Sequence, residues 1–272
     1  MKRIGTRSAP KGDLHWRQLL MALFFSMGVV TVSDVFAGDY SSHQDVQGVI
    51  ATAEEAGVEP AWAMDLIESA ERQQSILDAI ARPAEKTMPW YEYRKIFLTE
   101  RRIREGVAFW DANAAVLETV SERSGVPAEI IVAIIGVETY YGRISGSYRV
   151  IDALATLAFD YPRRSAFFTR ELEQFLVLAW ESNKDPLAMK GSYAGAMGYG
   201  QFMPSSYRAY ATSFEGGSAP DIWDNVADAI SSVGNYLRAH GWRTADGVVV
   251  DAIADDAEHA IFDAGLKPGL TV

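Results

Sequence analysis

The sequence predicts a mainly α-helical fold with a small β element near its C-terminal side. Apolar residues recur at helical spacing through most of the chain beyond residue 45, and the best strand signal is the short run Val248–Val250. The 272 residues, of which 49% are hydrophobic and 22% charged, are typical of a folded globular protein. This length allows one large domain or two ordinary ones.

Six segments carry the helical signals. They are Val46–Ala56, Pro60–Arg72, Thr99–Arg123, Pro127–Tyr140, Ser165–Glu181 and Asp224–His240. Pro60 occupies a favourable first-turn position, and Gly125 ends the third segment. Asp224 is expected to cap the last helix, which Gly241 terminates.

The composition excludes several classes of chemistry. The chain has no cysteine, so disulfides, thiolate metal sites, thiol nucleophiles and a lipoprotein anchor are excluded. The histidines lie far apart and form no metal-binding pair, at positions His15, His43, His240 and His259. A Ser-His-Asp triad is compatible with the composition, but no GxSxG elbow supports one. The net charge of −11 argues against a nucleic-acid partner, and neither a metal nor a cofactor is expected.

Residues 1–37 are predicted to be an export signal that is cleaved. Five basic side chains precede the apolar run 19–32, and the sequence Val-Phe-Ala at 35–37 fits a cleavage site. The alternative is a membrane anchor, but the run has fourteen residues, whereas a bilayer span needs roughly 20. Export without disulfides suggests the periplasm of a Gram-negative bacterium for the mature chain, residues 38–272.

The helix Pro127–Tyr140 is too apolar for a surface helix, and it carries a glutamate on an apolar face. Glu138 shares that face with isoleucines of the two preceding turns. A carboxylate there must pair with a cation or stay protonated, because desolvation raises its pKa. A neutral carboxyl at the edge of a cleft is what a general acid requires. The alternative is an ordinary helix-end glutamate that bonds Thr139 or pairs with Arg143.

The segment Lys190–Tyr207 carries four glycines within ten positions. Each glycine costs a helix about 1 kcal/mol relative to alanine, so a compact loop is predicted. Its spacing fits neither a P-loop nor a GxGxxG fingerprint. Eight of the twelve tyrosines lie between Tyr140 and Tyr210. An aromatic cleft with hydroxyl and amide groups suits a sugar polymer, although core packing is the alternative for any single tyrosine.

Four motifs follow one another along the chain. They are GVETYYGR (136–143), IDALATLAFDYPRR (151–164), KGSYAGAMGYGQFMPSSY (190–207) and WD…DAI…GNYLRAHGW (223–242). Together they resemble the membrane-bound lytic murein transglycosylase B family, over roughly residues 51–264. The resemblance implies a goose-lysozyme-like helical core at about 99–242, a flanking helical subdomain, and a small β element at about 243–272. It also implies cleavage of the β-1,4 bond between N-acetylmuramic acid and N-acetylglucosamine, leaving a 1,6-anhydromuramoyl end.

The resemblance assigns roles to particular residues. Glu138 would be the sole catalytic carboxyl, protonating the leaving oxygen and then accepting the proton of the muramoyl C6 hydroxyl. The substrate would be held by Ser192 and Gln201, the groove lined by Tyr93, Tyr199 and Tyr236, and sugar or peptide carboxylates met by Arg163 and Arg164. For the two arginines, an exposed pair on an acidic protein is the alternative.

A hydrolase would differ from a lytic transglycosylase in needing a second catalytic carboxylate. Ordinary glycosidases place two carboxylates across the bond. Acids close to Glu138 in sequence leave that mechanism open: Asp152, Asp160, Glu171 and Glu173. The resemblance favours one carboxyl with attack by the substrate's own C6 hydroxyl, which has the proximity advantage of an intramolecular nucleophile.

The chain departs from the family pattern in two places. Residues 213–224 lack the alternating Asp/Asn ligands of a calcium loop that some members carry, so no calcium site is predicted. The chain stops at Val272, whereas the family continues with tyrosines that complete the groove, so a shortened groove is expected. The expected partners are peptidoglycan glycan strands, with cell-wall synthases as candidate protein partners. The alternative function is a non-catalytic murein-binding or scaffold protein.

Overall fold

The computed structural model describes residues 40–81, 88–182, 184–217, 219–244 and 247–248. The predicted export signal, residues 1–37, and most of the predicted C-terminal β element, residues 243–272, lie outside the described residues. None of the helices described is both long and apolar enough to cross a bilayer.

Helices make up most of the described chain, which confirms the predicted fold class. They are α1 (Val46–Glu55), α2 (Pro60–Glu68), α3 (Gln74–Ala81), α4 (Trp90–Tyr93), α5 (Glu100–Ala112), α6 (Ala114–Ser124), α7 (Ala128–Thr139), α8 (Val150–Asp160), α9 (Ser165–Glu181), α10 (Pro204–Tyr210) and α11 (Val226–Ala239). A 3₁₀ turn, Arg94–Ile96, follows α4. Two short strands, β1 (Tyr148–Arg149) and β2 (Lys190–Gly191), pair antiparallel with Tyr148 opposite Gly191.

The core is built around α8 and α9. All nine residues of α8 from Val150 to Ala158 are buried, including the polar side chains of Asp152 and Thr156. This helix packs on α9, which also contacts α1 and α10 and buries Phe168 and Phe175 completely. The polar residues Asp152, Thr156 and Asp160 of α8 are spaced one turn apart, so an amphipathic period is present in the sequence, although α8 is not among the helical segments predicted above.

The prediction of a single helix over Thr99–Arg123 is wrong. The chain breaks at Asn113, which ends α5 and precedes α6 with a non-helical φ of −122°. Its side-chain amide donates to the carbonyl oxygen of Phe109 at 2.8 Å. Asparagine competes for the backbone in this way, and an apolar pattern that continues through the break conceals it. The predicted end at Gly125 is confirmed, with φ of +73°.

The predicted cap of α11 was placed one residue too early. The side chain of Asn225, not that of Asp224, accepts the N–H groups of Ala227 and Asp228, at 3.0 and 3.3 Å. Asp224 instead points its carboxylate toward Lys184, at 3.4 Å. Asn and Asp are nearly equal as capping residues, so local sequence could not decide between them.

The glycine-rich loop, which we define as Ser192–Met203, lies between β2 and α10. It folds back on itself through bridges that join Met197 to Gly191 and to Phe202. The predicted loop extended to Tyr207, but α10 begins at Pro204, because proline suits the first turn of a helix. Elsewhere in the fold, α7 packs against α5, α6 and α11.

Candidate active site

Glu138 lies on the last turn of α7 and faces a cavity of about 270 Å³. Ile134, one turn earlier, lies in the same wall. The rest of the lining comes from the glycine-rich loop, the first turn of α10 and one face of α11: Gly200, Gln201, Phe202, Met203, Ser206, Val233, Tyr236 and Leu237. Glu138 is the one carboxyl among these described lining residues.

The Glu138 carboxyl is accessible from the cavity and is also desolvated. Glu138 is solvent-exposed as a whole residue, while the protein atoms packed around its carboxyl raise its pKa above the ordinary value. Both hold because apolar groups such as Ile134 exclude water on one side only. Within the described chain, no hydrogen bond or ion pair reaches this carboxyl. A neutral acid that a ligand can approach is suited to proton donation.

The alternative interpretation of Glu138 as a helix-end glutamate named Thr139 and Arg143 as its partners. The hydroxyl of Thr139 lies 2.9 Å from the carbonyl oxygen of Tyr199 and 3.2 Å from that of Ile135, so it is engaged elsewhere. Arg143 pairs with Glu105 at 3.1 Å. Both expected partners of Glu138 therefore bind other groups.

The chain leaves α7 through three consecutive residues with positive φ. Tyr140, Tyr141 and Gly142 have φ of 53°, 59° and 85°. The left-handed conformation costs about 1–2 kcal/mol for each residue that carries a Cβ, so surrounding contacts must hold it. One such contact is the N–H of Gly142, which donates to the Thr139 hydroxyl at 3.0 Å.

The Tyr141 ring supplies a second contact. It lies between α5 and α7, so close to two glycines that a Cβ added to Gly106 would fall 2.4 Å from its hydroxyl oxygen, and one added to Gly136 would fall 2.7 Å from its ring. Arg102 braces the same turn, donating to the carbonyl oxygen of Gly136 at 2.7 Å and stacking over Tyr140 at 4.3 Å. These contacts orient the turn that carries the glutamate.

Gln201 forms the wall of the cavity opposite α7. Its backbone has φ of +51°, and its side-chain amide nitrogen donates to the carbonyl oxygens of Gly198, at 3.0 Å, and Ser145, at 3.2 Å. Both N–H groups of the amide are thereby used. The amide oxygen has no hydrogen bond to any described residue, so it is left to accept one from a ligand hydroxyl.

Ser192 lies at the start of the glycine-rich loop and does not line the Glu138 cavity. Its hydroxyl oxygen accepts the N–H groups of Ala194 and Ala196, at 3.3 and 3.2 Å, and its own N–H donates to the Ala196 carbonyl oxygen at 2.8 Å. The hydroxyl hydrogen remains for another acceptor. The structure thus gives Ser192 a part in shaping the loop, and its contact with substrate stays a prediction.

Tyr236 lines the cavity together with Glu138 and Gln201. Its ring stacks on that of His240 with centroids 4.0 Å apart, and meets Phe202 and Tyr210 edge-on at 5.6 and 5.3 Å. The ring is therefore fixed before any ligand arrives. Fixed aromatic surfaces bind at low entropic cost.

The other two predicted groove tyrosines lie outside this cavity. The Tyr199 ring lies so close to Gly142 that a Cβ there would fall 2.0 Å from it. Tyr93 belongs to a partly exposed aromatic group, with Trp90 at 6.3 Å and Phe97 at 5.3 Å. Their contact with a saccharide stays a prediction.

The two predicted arginines also lie outside the cavity lining. Both are exposed in the turn between α8 and α9, and the Arg164 guanidinium lies 4.2 Å above the ring of Phe167. Recognition of carboxylates by Arg163 and Arg164 stays a prediction.

Sequence analysis missed part of the cavity. Val233 lies three residues before Tyr236 and four before Leu237 on α11, so the period of that helix could have revealed the face that they share. Met203 and Ser206 lie at the junction of the loop with α10. No local signal marks them, because only the tertiary fold brings this junction to α7.

The other acids near Glu138 in sequence lie outside the cavity. They are Asp152, Asp160, Glu171 and Glu173. Asp152 forms a bidentate ion pair with Arg149, with both distances 2.7 Å. Glu171 accepts hydrogen bonds from the N–H and hydroxyl of Ser205, at 2.9 and 2.7 Å, and so holds the start of α10. Asp152 and Glu171 thus hold neighbouring parts of the fold together, and none of the four acids faces Glu138 across the cavity.

The segment compared above with a calcium loop is held by other interactions. The two carboxylate oxygens of Asp228 accept the N–H groups of Phe214 and Asp221, each at 2.8 Å. The Lys184 ammonium lies 2.8 Å from the Asp221 carboxylate. Among the residues described, no three His, Asp or Glu side chains converge as metal ligands. These donors do not fit a calcium ion, and the absence of a site stays a prediction.

The described residues thus form a mainly helical domain in which one carboxyl with a raised pKa lies in an aromatic-walled cavity. A family model described as the transglycosylase SLT domain matches residues 41–267, and the chain belongs to this family. The predicted lysozyme-like fold and the predicted family are both confirmed.

Named relatives share this domain. Membrane-bound lytic murein transglycosylase B of Escherichia coli K12 is 44% identical over 225 residues, which cover 79% of this chain and 62% of that protein. The structure of catenated lytic transglycosylase SltB1 from Pseudomonas aeruginosa matches with 51% identity and a TM-score of 0.74, over 77% of this chain and 69% of that one. Escherichia coli Slt35, solved in complex with calcium, matches with 40% identity and a TM-score of 0.74, over 88% and 81%.

Proposed function

We propose that the protein is a peptidoglycan lytic transglycosylase. It cleaves the β-1,4 bond between N-acetylmuramic acid and N-acetylglucosamine and leaves a 1,6-anhydromuramoyl end. The observation that carries this proposal is the single carboxyl, Glu138, with a raised pKa in a cavity walled by Gln201 and Tyr236. Membership of the SLT family, and relatives named as lytic transglycosylases, support the same chemistry.

In the first step Glu138 acts as general acid. The bond between the muramoyl anomeric carbon and the glycosidic oxygen breaks, its electron pair passes to the oxygen, and the Glu138 proton completes the new hydroxyl. The protein atoms packed around Glu138 favour this step because they raise its pKa, so the carboxyl stays protonated at a higher pH than that of a fully solvated glutamate.

In the second step the resulting carboxylate acts as general base. It accepts the proton of the muramoyl C6 hydroxyl while that oxygen bonds to the anomeric carbon, which closes the anhydro ring and restores neutral Glu138. An inverting or retaining hydrolase would need a second carboxylate across the bond. The described lining of the cavity supplies only Glu138, which favours attack by the substrate's own hydroxyl.

The neighbouring groups are suited to holding a saccharide. The amide oxygen of Gln201 can accept a hydrogen bond from a sugar hydroxyl, and the immobilised Tyr236 ring can pack against a pyranose face. Ser192, Tyr93, Tyr199, Arg163 and Arg164 would contact more distant parts of the strand. The substrate places the enzyme in the periplasm, where cell-wall synthases are the candidate protein partners.

The test is digestion of purified sacculi by the full chain and by Glu138→Gln. The amide keeps the shape of the side chain and loses the transferable proton, so release of muropeptides should fall at least about 10²–10⁴-fold. Wild-type products should carry muramoyl ends one water lighter than those of a lysozyme digest. Glu129→Gln, an exposed site on the first turn of the same helix, is the matched control and should act as wild type.

Three results would contradict the proposal. Near-normal release by Glu138→Gln would remove this residue from the mechanism. Hydrated reducing ends from the wild type would define a hydrolase. Binding to sacculi without any release would favour the scaffold function.

A further inference from the structure

A second cavity, of about 370 Å³, lies beside the site and is not used by the mechanism above. It is lined by Ser145, Gly146, Lys184, Asp185, Ala188, Met189, Lys190, Trp223 and Asp224. Gln201, in the wall of the Glu138 cavity, donates to the carbonyl oxygen of Ser145, in the wall of this one, at 3.2 Å. The two cavities are therefore neighbours on either side of one hydrogen bond.

Close backbone packing forms one edge of the second cavity, at Gly146. Gly146 has φ of +101°, and a Cβ there would fall 1.9 Å from the carbonyl oxygen of Gly191. Gly191 in turn pairs with Tyr148 in the β ladder. Close backbone packing of this kind gives the second cavity a rigid edge, which a side chain at residue 146 would destroy.

Trp223 presents an immobilised ring to this cavity. Its indole N–H donates to the carbonyl oxygen of Lys190 at 3.2 Å, and its ring packs against that of Tyr207 at 5.6 Å. Because the N–H is already bonded, the ring can offer a ligand only its apolar surface. The Lys184 ammonium lies 5.7 Å from the centroid of this ring, so a flat ligand face that stacks on the half-buried indole would share the ring with this ammonium.

The charged groups around the ring differ in their availability. Lys184 is held by Asp221 and Asp224, at 2.8 and 3.4 Å. The exposed ammonium of Lys190 has no hydrogen bond or ion pair with the described residues. The Asp224 side chain is 83% exposed, and Asp185 uses one oxygen to accept the N–H of Leu187. The cavity thus offers hydrogen-bond donors and acceptors of both charges around one ring.

We propose that this second cavity is a saccharide subsite that binds a pyranose of the glycan strand beyond the sugars at Glu138. A neutral sugar suits it, since one face of the ring packs on Trp223 while hydroxyls bond the Lys190 ammonium and the Asp185 and Asp224 carboxylates. An isolated carboxylate of a stem peptide suits it less, because two aspartates face the same space. The inference rests on the proposed function, which makes the ligand a polymer long enough to fill both cavities.

The test measures how affinity depends on strand length. Peptide-free tetrasaccharide and octasaccharide strands of alternating N-acetylglucosamine and N-acetylmuramic acid are titrated calorimetrically into Glu138→Gln protein, so that binding is observed without cleavage. The octasaccharide should bind more tightly than the tetrasaccharide. Trp223→Ala should remove about tenfold of that gain, the equivalent of one aromatic contact, and Trp223→Phe should restore part of it.

Two further variants separate a subsite from a structural effect. Lys190→Gln keeps the β ladder and should also weaken octasaccharide binding more than tetrasaccharide binding. Trp180→Ala, at an exposed tryptophan on α9 that packs on Trp62 at 5.2 Å, is the matched control and should leave the length dependence unchanged. Thermal midpoints measured in parallel identify any variant that is merely unfolded.

The outcomes distinguish this inference from the proposed function. Equal losses for both strands in Trp223→Ala and Lys190→Gln would overturn the subsite. A loss confined to strands that carry stem peptides would make the cavity a peptide site, which also overturns it. If the wild type binds strands with the expected length dependence but cleaves none, the subsite stands and the proposed activity fails.

Discussion

The hydroxyl oxygen of Thr139 lies 2.9 Å from the carbonyl oxygen of Tyr199. Thr139 follows Glu138 directly and is 1% exposed, and Tyr199 lies two residues before Gln201. This one bond therefore couples the end of α7 to the glycine-rich loop. The distance between the Glu138 carboxyl and the Gln201 amide across the cavity depends on it.

Replacing Thr139 by valine should lower both stability and activity. Valine keeps the shape but leaves the Tyr199 carbonyl and the Gly142 N–H without this partner, a cost of about 1–3 kcal/mol in the free energy of unfolding. Urea denaturation gives the stability, and sacculus digestion gives the rate. Thr139→Ser, which keeps the hydroxyl, should recover most of both. If serine were as damaging as valine, the methyl group and not the hydrogen bond would be the important feature.

The contact of Tyr141 with Gly106 predicts that the effect of Gly106→Ala on stability differs between the wild type and the Tyr141→Phe variant. In a helix interior, Gly→Ala normally stabilises by about 1 kcal/mol. Here the new Cβ would fall 2.4 Å from the Tyr141 hydroxyl oxygen, so Gly106→Ala should destabilise the wild-type chain. In a Tyr141→Phe background that oxygen is gone, and the same substitution should cost much less or stabilise. Thermal midpoints of the wild type, the two single variants and the double variant form a double-mutant cycle. If Gly106→Ala changed the midpoint equally with and without the Tyr141 hydroxyl, the steric origin would be disproved.

The pKa of Glu138 makes stability depend on pH in a defined direction. Burial raises the folded pKa above the unfolded value near 4.5, so the folded chain binds more protons between the two values. Stability then falls as pH rises through that window, and the full penalty is present above it. Glu138→Gln should therefore be more stable than the wild type at neutral pH, with a difference that vanishes below the unfolded pKa. Urea titrations across that range measure it, and a difference independent of pH would contradict the desolvation.

The same pKa should appear in the rate of cleavage. The reaction starts from neutral Glu138, and the carboxylate needed later is produced by the first step, so one deprotonation should control activity. Then kcat/KM should be level at low pH and fall about tenfold per pH unit above the raised pKa. Initial rates on soluble glycan strands give the profile. If kcat/KM also fell at low pH, that fall would report a catalytic base and would point to another carboxyl.

The interactions of residues 213–224 predict that calcium does not change the stability of the fold. Since Asp228 is used by backbone N–H groups and Asp221 by Lys184, no folded-state site should shift the unfolding equilibrium. Thermal midpoints in excess EDTA and in millimolar calcium should agree. A calcium-dependent rise of several degrees would show that these donors rearrange into a site.

Features that rest on local pattern could be predicted from the sequence. The isoleucines before Glu138 set an apolar face, and Gly125 supplies a left-handed helix end, so both were found from spacing alone. The sequence does carry a signal for α8, since Asp152, Thr156 and Asp160 recur one turn apart, but Asp152 and Thr156 are buried and hydrogen-bonded, which spacing alone does not show. The break at Asn113 was hidden because apolar spacing continues across it.

The site itself was only partly predictable for a different reason. Glu138, Gln201 and Tyr236 line one cavity, but their convergence comes from the packing of α7 against α11 and from one threonine–carbonyl bond. Met203 and Ser206 have no chemical signature of their own. Ser192 carried a motif signal, yet that signal could not separate a hydroxyl that contacts a ligand from one that shapes a turn.

The glycine-rich loop is tied to the rest of the molecule through its main chain. Thr139 binds the carbonyl of Tyr199, Gln201 binds those of Gly198 and Ser145, and the N–H of Tyr199 donates to the carbonyl of Ile222 at 3.1 Å. Outward-facing positions such as Tyr193 take no part in these ties. The contacts that hold the loop are thus made by its main chain and by Gln201, so substitutions at outward-facing positions such as Tyr193 should leave the position of Glu138 relative to the loop unchanged.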